Sequence, residues 1–243
     1  DTDCRLGTQT FRIKMPQGHD GKTKVGAIIF AHGYRGTAAG LMRNKRLTKT
    51  ISDMGLAFIA PKSRREDWDI PNAPFKGKGR EVEFFDALMD EVILNHHIDA
   101  SRVVVTGFSA GGMMVWNMAC NRPDLFAGFA PISGTFWLNP PQSCAGPVAN
   151  LIHIHGDADP TVPLSGRPIA DTHQGDVGEA LSMYATYGNF GAPVARDING
   201  LKCKDRQNAK GDILNFCMFK GGHSFRREHV SFAWQTFLDA GKL

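Results

Sequence analysis

The stretch Val103-Val104-Val105-Thr106-Gly107-Phe108-Ser109-Ala110-Gly111-Gly112 constrains this chain most. A β-branched run ends in Gly-x-Ser-x-Gly, and an apolar segment from Met113 to Ala119 follows at once. Strand, sharp turn and helix in that order is the setting in which this pattern forms a nucleophile elbow. The turn forces the serine into strained backbone geometry, and the flanking glycines let neighbouring main chain close on it. Ser109 Oγ should then stand clear at the C-terminal edge of a sheet. The amide of Ala110, at a helix N-terminus, should face a developing oxyanion. The alternative is an ordinary strand-to-helix turn with a capping serine.

Hydrophobic patterning fills in the elements around this turn. Thr10 to Met15 alternates and predicts a first strand, and Val25 to Ala31 is a continuous apolar run that predicts a buried one. Met42 to Met54 predicts a helix and Leu56 to Ala60 another buried strand. Glu81 to Leu94 is amphipathic, with Phe85, Leu88, Met89 and Val92 on one stripe. Val103 to Thr106, Ala127 to Ile132, Leu151 to His155 and Ile213 to Phe219 predict further strands. Met113 to Cys120, Gly178 to Tyr187 and Glu228 to Leu238 predict helices. The last should turn Val230, Ala233, Trp234, Phe237 and Leu238 to the core. Strands alternating with helices along the whole chain imply one mostly parallel sheet covered on both faces. No internal repeat or linker interrupts them, so residues 1–243 read as a single domain. Loop or lid elaborations are expected near 61–80, 133–148 and 160–177.

Composition excludes several functions. The 243 residues suffice for one α/β domain, and no apolar run approaches membrane-spanning length. The net charge of +4 comes from dispersed basic residues with no aromatic-interleaved stripe, which argues against nucleic-acid binding. The five cysteines form no C-x-x-C motif. Cys203 and Cys217 flank an expected hairpin, and Cys120 and Cys144 flank an elaborated loop. Both pairs suit disulfides of an exported protein, leaving Cys4 over; buried free thiols in a reducing compartment are the alternative. The opening Asp-Thr-Asp-Cys lacks both Met and an apolar leader and reads as a mature or trimmed product, which leaves the question of a signal peptide open.

A serine hydroxyl is a weak nucleophile until a base takes its proton, so the elbow calls for a histidine and a carboxylate. The order expected downstream is acid, then histidine. His223, in Gly221-Gly222-His223-Ser224-Phe225 after the last strand, can swing back over the elbow. His229 falls inside the last helix and is expected at the surface, and His96 and His97 suit a helix C-terminus. His173 could line the site or simply occupy a loop. The acid should follow the strand ending in His155-Gly156-Asp157-Ala158-Asp159-Pro160. Asp159 is preferred because Pro160 and Pro163 stiffen its loop, while Asp157 suits a turn-former. A second oxyanion donor is expected from the loop after Val25 to Ala31, with Tyr34 N–H the choice and His32 an anchor of that loop. The aromatics Trp68, Phe75, Phe136, Trp137 and Phe225 fall in loops at the same edge. They either line an apolar cleft for an ester or hold the loops down.

Taken together, the His32-Gly33-Tyr34 loop, Gly107-Phe-Ser-Ala-Gly-Gly112, Pro123-Asp-Leu-Phe-Ala-Gly128, His155-Gly-Asp-Ala-Asp159 with Val162-Pro163, and Gly221-Gly-His223 resemble one group. It is the α/β-hydrolases of the polyhydroxybutyrate depolymerase and feruloyl esterase kind. The resemblance implies the α/β-hydrolase fold and a secreted or periplasmic carboxylic ester hydrolase without cofactor or metal. The substrates this resemblance implies are short-chain, hydroxyalkanoate or phenolic esters, small or oligomeric. The resemblance also puts Ser109, Asp159 and His223 at the group's triad positions, and Tyr34 and Ala110 at its oxyanion positions. Two departures stand out. These 243 residues are not expected to include an added polymer-binding domain, and the stretch from Pro163 to Asp176 is not assignable to a feruloyl pocket.

Two rival functions remain open at this point. His153-x-His155-x-Asp157 has the spacing of a metal cluster and would make a metal-dependent hydrolase. A catalytically inactive binding module on the same fold is the other, since a fold alone proves no activity.

Overall fold

Residues 3–74 and 79–243 are described in a computed structural model. In chain order the elements begin with β1 (Cys4–Leu6), β2 (Gln9–Lys14), β3 (Val25–Ala31), α1 (Ala38–Arg43), α2 (Lys45–Asp53) and β4 (Ala57–Pro61). They continue with α3 (Glu81–Asn95), β5 (Ile98–Phe108), α4 (Ala110–Asn121), β6 (Gly128–Ile132) and β7 (Leu151–Gly156). The chain ends through β8 (Arg167–Ile169), β9 (Thr172–Gln174), α5 (Val177–Tyr187), β10 (Val194–Ile198), β11 (Leu201–Gln207), β12 (Ile213–Phe219) and α6 (Arg227–Asp239). One ten-stranded sheet runs β1-β2-β4-β3-β5-β6-β7-β12-β11-β10. Its middle, from β4 through β3, β5, β6 and β7 to β12, is parallel, and both margins are antiparallel.

The parallel strands are buried on both faces, which is why they read as unbroken apolar runs rather than alternating ones. On β3, Ala27, Ile29 and Ala31 face one core layer, together with Phe85, Leu88, Met89 and Val92 of α3 and the apolar side of α4. Ile28 and Phe30 face the other layer, with Leu47 and Ile51 of α2 and Val230, Ala233, Trp234 and Phe237 of α6. Each fully buried Phe or Ile of this kind contributes roughly 1.5–3 kcal/mol of transfer free energy. The expected α/β-hydrolase fold, with helices on both faces of a mostly parallel sheet, is the one found.

Several local readings need correction. The helix expected over Met42 to Met54 is two helices, because Asn44 leaves helical geometry and its Oδ1 accepts the Leu47 amide to cap α2. Leu238 is 40% exposed rather than core, one step off the α6 stripe. His229 is buried rather than at the surface: its Nδ1 accepts the Arg226 amide, and its ring packs on Phe219 at 4.7 Å. The hairpin β10–β11 adds two margin strands, of which the patterning marked only the part near Cys203.

Both cysteine pairs are joined. Cys203 and Cys217 sit directly opposite each other on β11 and β12, and Cys120 at the end of α4 is bonded to Cys144. Cys4 is free and half-buried.

The three elaborations meet above the C-terminal edge of the sheet. The β8–β9 hairpin touches the 61–80 loop where Thr172 Oγ1 donates to the Asn72 carbonyl. It touches the 133–148 insertion where Leu138 N–H donates to the His173 carbonyl and Trp137 bridges Gln174. The insertion is in turn anchored by the Cys120–Cys144 bond and by Tyr187, whose hydroxyl donates to the Cys144 and Gly146 carbonyls.

Candidate active site

Ser109 lies between β5 and α4 with φ 60° and ψ −121°. A non-glycine residue there carries strain of about 1–3 kcal/mol and persists only when its surroundings hold it. They do so through two main-chain bonds: Ser109 N–H donates to the Ile132 carbonyl and its own carbonyl accepts from Met113 N–H. The glycines around it are required by close approach. A Cβ on Gly107 would fall 2.5 Å from the Gly111 carbonyl carbon, and one on Gly111 would overlap the Ala31 carbonyl oxygen. The elbow is thus pressed between the ends of β3 and β6.

His223 follows β12, and its Nε2 stands 2.9 Å from Ser109 Oγ. Its Nδ1 is 2.7 Å from Asp159 Oδ2. Asp159 follows β7 and has no exposed side-chain surface, while the His223 side chain is 16% exposed. The other carboxylate oxygen accepts main-chain N–H bonds from Thr161 (2.8 Å) and Val162 (2.9 Å). Burial by itself would raise this carboxyl. The Val162 amide, the contact with His223 and the Thr161 amide outweigh it and hold the group below the usual aspartate value. A hydroxyl, an imidazole and an ionised carboxylate are therefore in hydrogen-bonded series.

The loops carrying the acid and the histidine are tied to each other. Asp157 N–H donates to the Phe219 carbonyl, Ala158 N–H to the Gly221 carbonyl, and Asp157 Oδ1 accepts Gly221 N–H. Asp157 was expected to bond amides of its own turn, but its carboxylate ties the acid loop to the histidine loop instead, while Asp159 accepts the local Thr161 and Val162 amides.

The loop after β3 runs beside the serine. A Cβ on Gly33 would stand 3.5 Å from Ser109 Cβ and 3.3 Å from the Phe108 carbonyl oxygen. His32 anchors this loop. Its Nδ1 donates to the Gly33 carbonyl at 2.8 Å, and its Nε2 accepts Ser63 N–H. Burial drives its pKa down to about 4, against the Gly33 bond, with Lys62 adding to the fall, so the ring is neutral. The 61–80 loop clasps the same segment: Arg35 N–H donates to the Glu66 carbonyl, and Arg35 also pairs with the Glu66 carboxylate at 3.0 Å. Buried Glu81 of α3 holds that clasp from behind, accepting the Arg64 and Asp69 amides and the Gln9 side-chain amide.

The aromatic residues divide. Trp68 is buried, its indole N–H donating to the His32 carbonyl at 2.7 Å and its ring against His32 and Phe85. It secures the 61–80 loop and does not line an open cleft. Trp137 is also buried, under the β8–β9 hairpin, and Phe136 packs on Trp116. Phe225 is half-buried on Phe30 and Phe108, and Phe108 lies 4.6 Å from the His223 ring. Phe108 is the x of the G-x-S motif, a position the motif leaves open, so nothing in the pattern flagged it. Tyr34 is 45% exposed, with its hydroxyl 3.4 Å from Glu66. His173 is exposed in β9 rather than in a loop. Phe75 lies outside the described residues.

His153 and His155 do project from one strand face and stack at 5.1 Å. Their ring nitrogens are all engaged, however. His153 Nδ1 accepts the Trp116 indole N–H, His153 Nε2 meets His155 Nδ1 at 2.8 Å, and His155 Nε2 meets the Val162 carbonyl at 2.8 Å. Nitrogens committed in this way have no lone pair to offer a cation. Among the described residues the one cluster with metal-like spacing is Cys203, Asp205 and Cys217, whose two sulfurs are bonded to each other.

Comparison with known proteins agrees with the fold. Residues 76–179 match the family described as Phospholipase/Carboxylesterase. Feruloyl esterase C of Emericella nidulans is 28% identical over 233 residues, covering 90% of this chain and 77% of that protein. Poly(3-hydroxyalkanoate) depolymerase C of Paucimonas lemoignei is 42% identical over 79 residues, covering 32% of this chain and 18% of that protein. An acetyl xylan esterase structure from Aspergillus awamori superposes with a TM-score of 0.74 at 18% identity, covering 94% of each chain. The chain spans 45% of the length of a relative from Nocardia uniformis subsp. tsuyamanensis, 31% identical over 62% of this chain. The superposition on the acetyl xylan esterase shows that this chain has the α/β-hydrolase fold.

Proposed function

We propose that this chain is a serine carboxylic ester hydrolase working through an acyl-enzyme. The observation that carries this reading is the series Ser109 Oγ, His223 and Asp159, with 2.9 Å and 2.7 Å between successive groups. His223 Nε2 takes the hydroxyl proton as Ser109 attacks the ester carbonyl, and Asp159 holds the ring's tautomer and stabilises the imidazolium. The amides of Tyr34 and Ala110 receive the oxyanion. His223 then returns the proton to the leaving alcohol, and water repeats the sequence on the acyl-enzyme.

Short-chain, hydroxyalkanoate or phenolic esters are the proposed substrates, in line with the names borne by the relatives. Residues 1–243 act as one catalytic unit. Two disulfides favour an oxidising compartment, secreted or periplasmic. No helix among the described residues is long and apolar enough to cross a membrane. The saturated ring nitrogens of His153 and His155 speak against the metal-dependent alternative.

The test combines labelling with kinetics. A fluorophosphonate should modify Ser109 alone, and Ser109→Ala and His223→Ala should each lose several orders of magnitude in kcat with an unchanged unfolding transition. p-Nitrophenyl esters of rising chain length, methyl ferulate and hydroxybutyrate oligomers rank the substrates. Activity that survives in Ser109→Ala, or that EDTA abolishes, rejects the serine mechanism. Absence of turnover on every ester leaves the binding-module reading standing.

A further inference from the structure

The chain of buried rings behind the acid has a fixed direction. An indole N–H can only donate, so the His153 nitrogen facing Trp116 at 2.9 Å, Nδ1, is bare. A neutral His153 therefore carries its proton on Nε2 and donates it to His155 Nδ1. His155 must then carry its own proton on Nε2, where it meets the Val162 carbonyl at 2.8 Å and lies 3.5 Å from Asp159 Oδ2. The far end of this chain is a carbonyl, which can only accept. Both termini thus demand the same orientation, and each ring has one permitted tautomer. A second proton would sit on Nδ1, where it sets N–H against N–H, facing Trp116 on His153 or facing His153 on His155, and it buries a charge as well. Burial holds both rings below the ordinary histidine value.

We infer that His155, oriented through His153 by Trp116, is a positioning residue for the acid of the site. Its Nε2–H fixes the carbonyl of Val162, the residue whose N–H binds Asp159 Oδ1. The same proton lies near the carboxylate oxygen that meets His223. The reverse tautomer would turn a lone pair toward both the Val162 carbonyl and Asp159 and push the acid out of line. Trp116 sits on α4, the helix that begins at the elbow, so one hydrogen-bonded chain links the nucleophile's helix to the acid's loop. The titratable groups facing His155 are His153, Asp159 and His223; His153 faces His155, with the uncharged rings of Trp116 and Phe216 around it.

This inference rests on the serine reading, and its test separates the two. In ¹⁵N-histidine NMR of the unaltered protein, both rings should show a protonated Nε2 and a bare Nδ1, an outcome independent of any activity. In kinetics, His155→Leu should lower kcat at least tenfold with KM within twofold and displace the acid limb of the pH–rate profile. His155→Gln, whose side-chain N–H reaches the same place, should recover to within about threefold of wild type. His153→Phe, which keeps a ring but no proton, should resemble His155→Leu in direction. A proton on Nδ1 of either ring overturns the inference. So does a His155→Leu profile that superimposes on wild type while only its unfolding midpoint falls. If Ser109→Ala in the same panel keeps its turnover, the serine reading fails instead.

Discussion

Gly111→Ala is the sharpest probe of how the elbow is built. The added Cβ would overlap the Ala31 carbonyl oxygen, fall 2.6 Å from that carbonyl carbon and 2.8 Å from the His32 carbonyl oxygen. All three atoms are main chain, so no side chain can rotate away. Restoring an ordinary contact of about 3.4 Å requires α4 and β3 to part by roughly 1.5 Å, an overpacking that costs about 1–3 kcal/mol. The parting separates Ser109 from the His32-Gly33-Tyr34 loop, whose amide is proposed to receive the oxyanion. A misplacement of about 1 Å at reacting groups lowers rate by roughly 10²-fold. The assay is kcat on p-nitrophenyl acetate beside the urea midpoint. Gly55→Ala is the control: it has a φ of 73° but open space around it, so stability should drop by about 1 kcal/mol with kcat unchanged. If Gly111→Ala keeps kcat within threefold of wild type, the close approach does not set the site's geometry and the reasoning is wrong.

Asp159→Asn should reduce kcat by about 10⁴-fold, since an amide cannot hold the His223 tautomer, whereas Asp157→Ala should cost activity far less; equal losses in the two would reassign the acid. Stability should fall between pH 6.5 and 4. His32 and His229 both have pKa values of about 4 and are neutral when folded, but take protons once unfolded below 6.5, which costs about 3 kcal/mol each at most. Asp67, raised by burial to about 6, acts in the opposite sense and offsets about one of them. A urea midpoint that is flat or rises as pH falls from 7 to 4.5 contradicts this. Replacing Cys120 and Cys144 by Ala opens a 24-residue loop and should cost about 3 kcal/mol. Thermal melts with and without reductant measure that loss.

What could be read from the residues follows from which signals are local. The buried parallel strands were legible because burial on both faces leaves continuous apolar runs, as in Val25 to Ala31. Ser109, Asp159 and His223 were locatable because each follows such a strand in the required order. Asn44 was missed as a helix boundary because it sits inside an otherwise unbroken periodic segment, although Asn is a strong cap former. The β10–β11 hairpin carries a local signal of its own in the sequence. Asn199 and Gly200, with φ of 51° and 78°, make the turn between its strands, and Asn-Gly is the favoured pair there. The fates of Trp68 and His229 were not legible, since a tryptophan or histidine in the same local setting can face water or a long-range partner. Trp68 finds the His32 carbonyl, and His229 finds Phe219.

The serine, the acid and the histidine each hang from the end of a different strand, and β5, β6, β7 and β12 lie consecutively across the sheet. On the proposed mechanism, turnover works as a gauge of the middle of the molecule. It should vanish when any one of those ribbons slips, yet stay deaf to fraying of β1 or β10 at the borders. A chain that has lost its rim but still turns over substrate, and one with an intact rim that does not, are both outcomes this layout allows.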